Sequence, residues 1–138
     1  MAGVLTKDTT LSVKGTGSTY TEIPFLMEVP EIGGEPDQVE VTTLGDSTRK
    51  YIAGIKDLGD LTFSFLYDNS GPAANFRVLK AIETLGETKS FRLEYPDGTT
   101  HDFDAQVSVK MDSAAVNAAL TFTASFYLQS EIAVTDPV

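Results

Sequence analysis

Asp102 and Asp104 flank Phe103 and directly follow His101, the single histidine of the chain. Carboxylates two residues apart on a strand share one face, and beside an imidazole they are raw material for acid–base work or a divalent cation site. A regular strand, however, turns His101 to the opposite face, so the three side chains diverge. Solvent-facing charge near the end of a hairpin is the plainer reading.

Other chemistry fares no better. Gly15-Thr16-Gly17-Ser18 and Gly33-Gly34 look like phosphate-cradling loops, but neither leads into a helix through the Lys-Ser/Thr ending of a P-loop. Ser12, Ser64, Ser90, Ser108 and Ser125 fall inside predicted strands rather than at a nucleophile elbow, with one histidine to serve them all. Residues 31–40 hold four carboxylates and two glycines, yet lack the oxygen-ligand spacing of a calcium loop. With no cysteine, disulfides, zinc–thiolate sites and thiol nucleophiles are excluded. The expectation is a non-enzyme with no catalytic residues, no cofactor and no metal.

The charge balance narrows the partners. Twenty carboxylates against ten Lys and Arg leave a net charge of −10, which repels the phosphate backbone and anionic membranes. No apolar run approaches the roughly 18 residues that span a bilayer, and the first eleven residues lack the cationic-then-apolar order of a signal peptide. Synthesis in the cytoplasm is expected. The length of 138 residues fits a single domain, enough to bury about 70% of the surface its unfolded form exposes.

What must position these residues is a β-rich framework. Residues 1–20 are rich in Gly, Thr and Ser and read as an arm around a short strand near 11–14. Residues 21–29, with Ile23, Phe25, Leu26, Met27 and Val29, read as one strand stopped by Pro30. A loop over 31–38 and a short strand over 39–43 follow. Residues 44–59 read as a long loop without periodicity that nonetheless carries Tyr51, Ile52, Ile55 and Leu58. Such a loop inside a small domain is more often functional than a simple connector.

The second half is more regular. Leu61, Phe63, Phe65 and Tyr67 alternate with polar residues at period two, the signature of a half-buried strand. A helix is predicted over 73–85, with Val78, Leu79, Ile82 and Leu85 on one face and Gly86 ending it. Strands over 88–95, 100–111 and 118–129 alternate in the same way, the first two joined by the turn Pro96-Asp97-Gly98. The predicted architecture is an antiparallel β-sandwich or barrel with one flanking helix. The longest strands reach roughly 40 Å, so they must bend or continue into a neighbour.

Three stretches resemble the major tail proteins (tail tube proteins) of bacteriophages with long, non-contractile tails. They are Met27-Glu28-Val29-Pro30-Glu31-Ile32-Gly33-Gly34-Glu35-Pro36 leading to Val39-Glu40-Val41-Thr42-Thr43-Leu44, Arg49-Lys50-Tyr51-Ile52-Ala53-Gly54-Ile55-Lys56-Asp57-Leu58-Gly59-Asp60-Leu61 with the strand Thr62–Tyr67, and Ser113-Ala114-Ala115-Val116-Asn117-Ala118-Ala119-Leu120-Thr121-Phe122-Thr123. The likeness covers about three quarters of the chain; Ala53 stands where the family's pattern has a proline, which loosens that loop. The resemblance implies two packed sheets with one helix at the side, and rings of six subunits stacked into a hollow tube for DNA. It further implies a terminal arm (1–20) and an internal loop (44–59) that become ordered on polymerisation, followed by a C-terminal tail (130–138). Partners would be further copies of the chain and other tail proteins, such as tail tip, tape measure and terminator, within the virion.

On this reading Arg49, Lys50, Tyr51 and Ile55 belong to an inter-subunit interface, and Glu94, Asp102, Asp104 and Gln106 are candidates for the lumen wall. Six chains would carry about −60, a wall to which DNA does not stick. The alternatives are the tube protein of a contractile injection or secretion apparatus, and a carbohydrate- or calcium-binding β-sandwich module.

Overall fold

The structure, a computed structural model, describes residues 3, 5, 7–15, 17–32, 36–56 and 60–137. Its framework is an eight-stranded antiparallel sheet of β1 (Thr10–Lys14), β2 (Tyr20–Ile23), β3 (Leu26–Glu28), β6 (Asp60–Leu66), β7 (Lys89–Glu94), β8 (Thr100–Met111), β9 (Thr121–Leu128) and β10 (Ala133–Thr135). The order is β2-β1-β7-β8-β9-β6-β3, with β10 joining β8. Strands β4 (Pro36–Glu40) and β5 (Tyr51–Lys56) form a separate two-stranded sheet, and α1 (Asn75–Leu85) is the one helix among the described residues. The mainly β, antiparallel architecture with one helix is as expected.

The period-two pattern becomes a core on one face of the large sheet. Leu11, Phe63, Phe65, Phe91, Leu93, Ala105, Phe122, Ala124 and Phe126 are all fully buried. The Phe126 ring is the hub, with centroids 4.6 Å from Phe91, 5.1 Å from Phe63 and 6.1 Å from Phe103. Each such ring contributes about 1.5–3 kcal/mol by leaving water. Leu79 and Ile82 bring the helix onto this core, and Phe76 meets Phe122 at 5.4 Å. Gly86 closes the helix in the left-handed region (φ 66°), where its N–H reaches the carbonyls of Ile82 and Glu83.

Strand β8 is the spine. Its first half pairs with β7 and β10, its second half with β9. The β7 register ends at Lys89↔Ala105, leaving the far end of β8 with a free edge on that side. The helix closes this gap, as the Val109 N–H donates to the Glu83 carboxylate, which Lys80 also holds at 2.8 Å. Lys80, and then the Val109 N–H, hold the Glu83 carboxyl below the ordinary 4.5 of a glutamate. A depressed folded-state pKa means the stabilisation is present above that value and lost as the pH falls through the folded one. Glu83→Ala should therefore cost about 1–2 kcal/mol at pH 7, and urea titrations should show the gap to wild type closing below pH 4.5.

Several boundaries differ from the expectations. The single strand expected over 21–29 is two, β2 and β3, because Phe25 adopts a left-handed backbone (φ 64°) after Pro24 and breaks the ladder. The 1–20 arm contains β1, which lies between β2 and β7 inside the sheet. The 130–138 tail contains β10, paired with Thr100, His101 and Asp102. The strand expected at 39–43 is β4, earlier in the chain and overlapping the expected 31–38 loop, and the 44–59 loop contains β5. At Gly98 (φ 99°) the expected Pro96-Asp97-Gly98 turn is formed, and the Gly98 N–H donates to the Tyr95 carbonyl at 3.0 Å.

Candidate assembly surfaces

Strands β4 and β5 form a hairpin with Val39 opposite Ile52, and Glu40 opposite Tyr51. Opposed residues share a face, so one face carries Val39, Val41, Ile52 and the Lys50 stem, and the other carries Gln38, Glu40, Tyr51 and Ala53. Both faces are open: Val39 and Tyr51 are each about half exposed, and Ile52 is 55% exposed. An isolated two-stranded hairpin is marginal in water at best, and this one keeps β-branched and aromatic residues in solvent on both sides.

The tip is nevertheless internally organised. The Asp46 carboxylate accepts the Thr43 N–H at 2.8 Å and its hydroxyl at 3.1 Å, and pairs with Lys50 Nζ at 3.0 Å. The Thr43 N–H, then Lys50, hold the Asp46 carboxyl below the usual aspartate range. The Lys50 N–H donates to Thr42 Oγ1 at 2.9 Å, and Arg49 approaches Glu40 at 3.9 Å. Leu44, at the apex, is fully exposed. Of the four residues expected at an interface, Arg49, Lys50 and Tyr51 cluster at this end of the hairpin. Ile55 is in β5, but its side chain lies outside the described residues.

The second surface is the polar face of the large sheet. Glu94, Asp102, Asp104 and Gln106 all lie on it, opposite Thr100, Arg92, Ser90 and Tyr127 respectively. Asp102 is engaged by Arg92 through Nε at 2.7 Å and Nη2 at 3.2 Å, and the guanidinium stacks 4.1 Å over the Tyr20 ring. Asp102 thereby raises the Arg92 pKa further above its ordinary value. Asp104 accepts the Ser90 hydroxyl at 2.6 Å, Gln106 reaches Thr88 at 3.4 Å, and Glu94 is exposed. At the far end the Asp112 carboxylate takes the Thr121 and Thr123 hydroxyls, each at 2.7 Å, which lower its pKa.

Acid–base chemistry does not assemble here. His101 lies on the opposite face from Asp102, across from Leu93, with its ring centroid 5.1 Å from that of Tyr95. Its Nδ1 is buried without a partner, and burial pushes the Tyr95 phenol up. No group of three or more His, Asp or Glu among the described residues is arranged to hold a metal.

Sequence reading missed a third surface. Phe25, Met27 and Leu66 form an exposed apolar corner where β3 meets β6, with Phe25 53% and Met27 59% exposed. The apolar residues of 21–29 pass for core when the segment is taken as one strand. Only the break at Pro24-Phe25 turns Phe25 outward.

Exposed apolar side chains on the hairpin and where β3 meets β6 are what a subunit of an assembly would present. The comparisons agree: the description "phage tail tube protein" matches residues 1–136, and the chain belongs to that family. No curated protein matches it. Among solved structures, the tail of an empty gene transfer agent particle refined with C6 symmetry superposes with a TM-score of 0.74 at 15% identity, covering 96% of this chain and 99% of that one. The sheath/tube terminator of an extracellular contractile injection system gives 0.76 at 13% identity, covering 98% of both. The baseplate of the anti-feeding prophage, 6-fold symmetrised, gives 0.71 at 11% identity, covering 99% and 97%. At these identities the likeness is one of fold.

Proposed function

We propose that this chain polymerises into rings of six that stack as the hollow tube of a long, non-contractile tail, through which DNA passes without specific binding. The observation that carries this is the β4–β5 hairpin, open on both faces in a chain of the tail tube family. Such a hairpin is stable only when something covers it, and an open-ended stack of identical subunits supplies the cover. The six-fold symmetry of the gene transfer agent tail and the anti-feeding prophage baseplate supports the ring number.

Residues 1–138 act as one domain in this assembly. Arg49, Lys50, Tyr51 and Ile55 lie between subunits. The polar sheet face with Glu94, Asp102, Asp104 and Gln106 lines the lumen, where Asp102 neutralises Arg92 and leaves the wall acidic. DNA would meet few free cations there, so counterion release would not hold it. The tube is made in the host cytoplasm and joins tail tip, tape measure and terminator proteins in the virion, with no membrane involved.

Concentrated protein viewed by negative-stain electron microscopy, with light scattering alongside, should show hollow tubes or rings of uniform diameter. Deleting residues 45–54 should leave a folded monomer that no longer polymerises. Normal tubes from that deletion would refute the role given to the hairpin. The likeness to the contractile injection system favours a second reading, the tube inside a contractile sheath. Sheath-coated particles in micrographs would select it.

A further inference from the structure

We propose that the outer face of α1, where it meets the turn after β6, is a docking groove for an acidic peptide segment of a partner protein, its carboxylates set next to apolar side chains. The groove is complete in a single chain, so it lies beyond the assembly reading above and stands without it.

The first support is its lining. An open groove of about 480 Å³ runs between Asn69 and the helix, bordered by Phe76, Ala81 and Leu85 together with Arg77 and Lys80. Leu79 and Ile82 already pin the helix to the core from its other side. Leu85 nevertheless stands 67% exposed on the groove side. Apolar side chains kept in solvent beside charged ones mark a surface used for contact.

The second is charge. The chain carries 20 carboxylates against 10 Lys and Arg, yet the groove is lined by two cations and, among the described residues, no carboxylate. Glu83, which pairs with Lys80, is drawn towards β8 by the Val109 N–H and leaves Lys80 with donors to spare. A cationic, partly apolar groove on an otherwise acidic protein is complementary to a carboxylate beside an apolar side chain.

The third is the state of Arg77. Of the three arginines, Arg49 approaches Glu40 and Arg92 is bonded to Asp102, whereas Arg77 has no ion pair among the described residues. A neutral residue holds it instead: Nε donates to Asn69 Oδ1 at 3.0 Å, and Nη2 to the Asn69 carbonyl at 3.2 Å. The turn that carries Asn69 is itself anchored, since the Asp68 N–H donates to the buried Asn75 amide. The guanidinium is thus fixed in place with its charge uncompensated and its Nη1 donors unspent. A planar fork held still in this way loses little freedom on gripping a carboxylate and matches it in bidentate geometry.

N-terminally fluorescein-labelled peptides test this by anisotropy: Leu-Asp-Glu-Phe amide and its permutations, and a matched set with Lys in place of both acids. At least one acidic peptide should bind the wild-type chain at micromolar concentration, and no lysine peptide should. Arg77→Gln should weaken that binding at least about tenfold, and raising the salt from about 50 to about 300 mM should weaken it several-fold. Leu85→Glu, at an exposed site, should abolish it with the chain still folded by circular dichroism. Lys110→Gln, which removes an exposed cation on β8, should leave it unchanged. Failure of every acidic peptide to bind, equal binding of the lysine set, or undiminished binding by Arg77→Gln or Leu85→Glu would overturn the groove. So would self-association of the wild-type chain that Leu85→Glu abolishes, because a second copy would then be the occupant.

Discussion

Asn75→Ala should lower the unfolding free energy by about 3–5 kcal/mol, measured by urea denaturation at pH 7. Asn75 is the one fully buried polar side chain among the described residues, and all its hydrogen-bonding capacity on the observed partners is in use. Its Nδ2 donates to the Pro24 and Leu66 carbonyls, both at 2.8 Å. Its Oδ1 accepts the Asp68 N–H at 3.2 Å and the Phe76 N–H at 2.6 Å. Alanine strands several of these backbone groups out of reach of water, and each unsatisfied group costs about 1–3 kcal/mol. Asn75→Asp tests the direction of the bonds. A carboxylate in this place faces two carbonyl oxygens, so burial and repulsion raise its folded-state pKa above that of the unfolded chain. The variant should then regain stability relative to wild type as the pH falls from 7 towards about 4.

Phe126→Ala should cost a similar amount, about 3–5 kcal/mol, for a different reason. No hydrogen bond is lost; instead the rings of Phe63, Phe91 and Phe103 lose the side chain they meet edge-on. The cavity cannot close fully, because those rings stand on three strands held in register by β8 and β9. For a chain of this size the loss corresponds to a fall in melting temperature of about 10–20 °C. Phe126→Leu, which keeps most of the volume, should recover more than half of it. A loss below 1 kcal/mol for Phe126→Ala, by calorimetry, would mean that the core repacks freely and that β8 does not hold it.

The contrast between regular and irregular stretches explains what was legible in the sequence. Strands β6, β7, β8 and β9 alternate because one face of each is pressed onto the phenylalanine cluster, and their boundaries were readable to within about three residues. Strand β5 was not readable, for the converse reason. None of the hairpin's described side chains is buried in the core, so no burial pattern marks its sequence, and Ala53-Gly54 dilutes what β propensity Tyr51 and Ile52 supply. The shared face of Asp102 and Asp104 followed from strand parity alone, as did the divergence of His101. That Asp102 is neutralised by Arg92 depends on the β7–β8 register, which a hairpin turn fixes in space but which composition does not display. The Phe25 corner was hidden because a left-handed phenylalanine violates the local rule that assigns it to a strand.

The insertion of the hairpin between β3 and β6 also has a mechanical meaning. A pull on the hairpin enters the body through two strands of unequal grip. β6 is bonded along its length to β9 and also to β3, whereas β3 is a three-residue edge held from one side. Load along β6 shears many bonds at once, while β3 peels from its neighbour a bond at a time. Under tension β3 therefore yields first, with the phenylalanine cluster and the spine of β8 still intact. The subunit has an ordered sequence of failure: a compliant strap gives way before the rigid body does, and the core is spared.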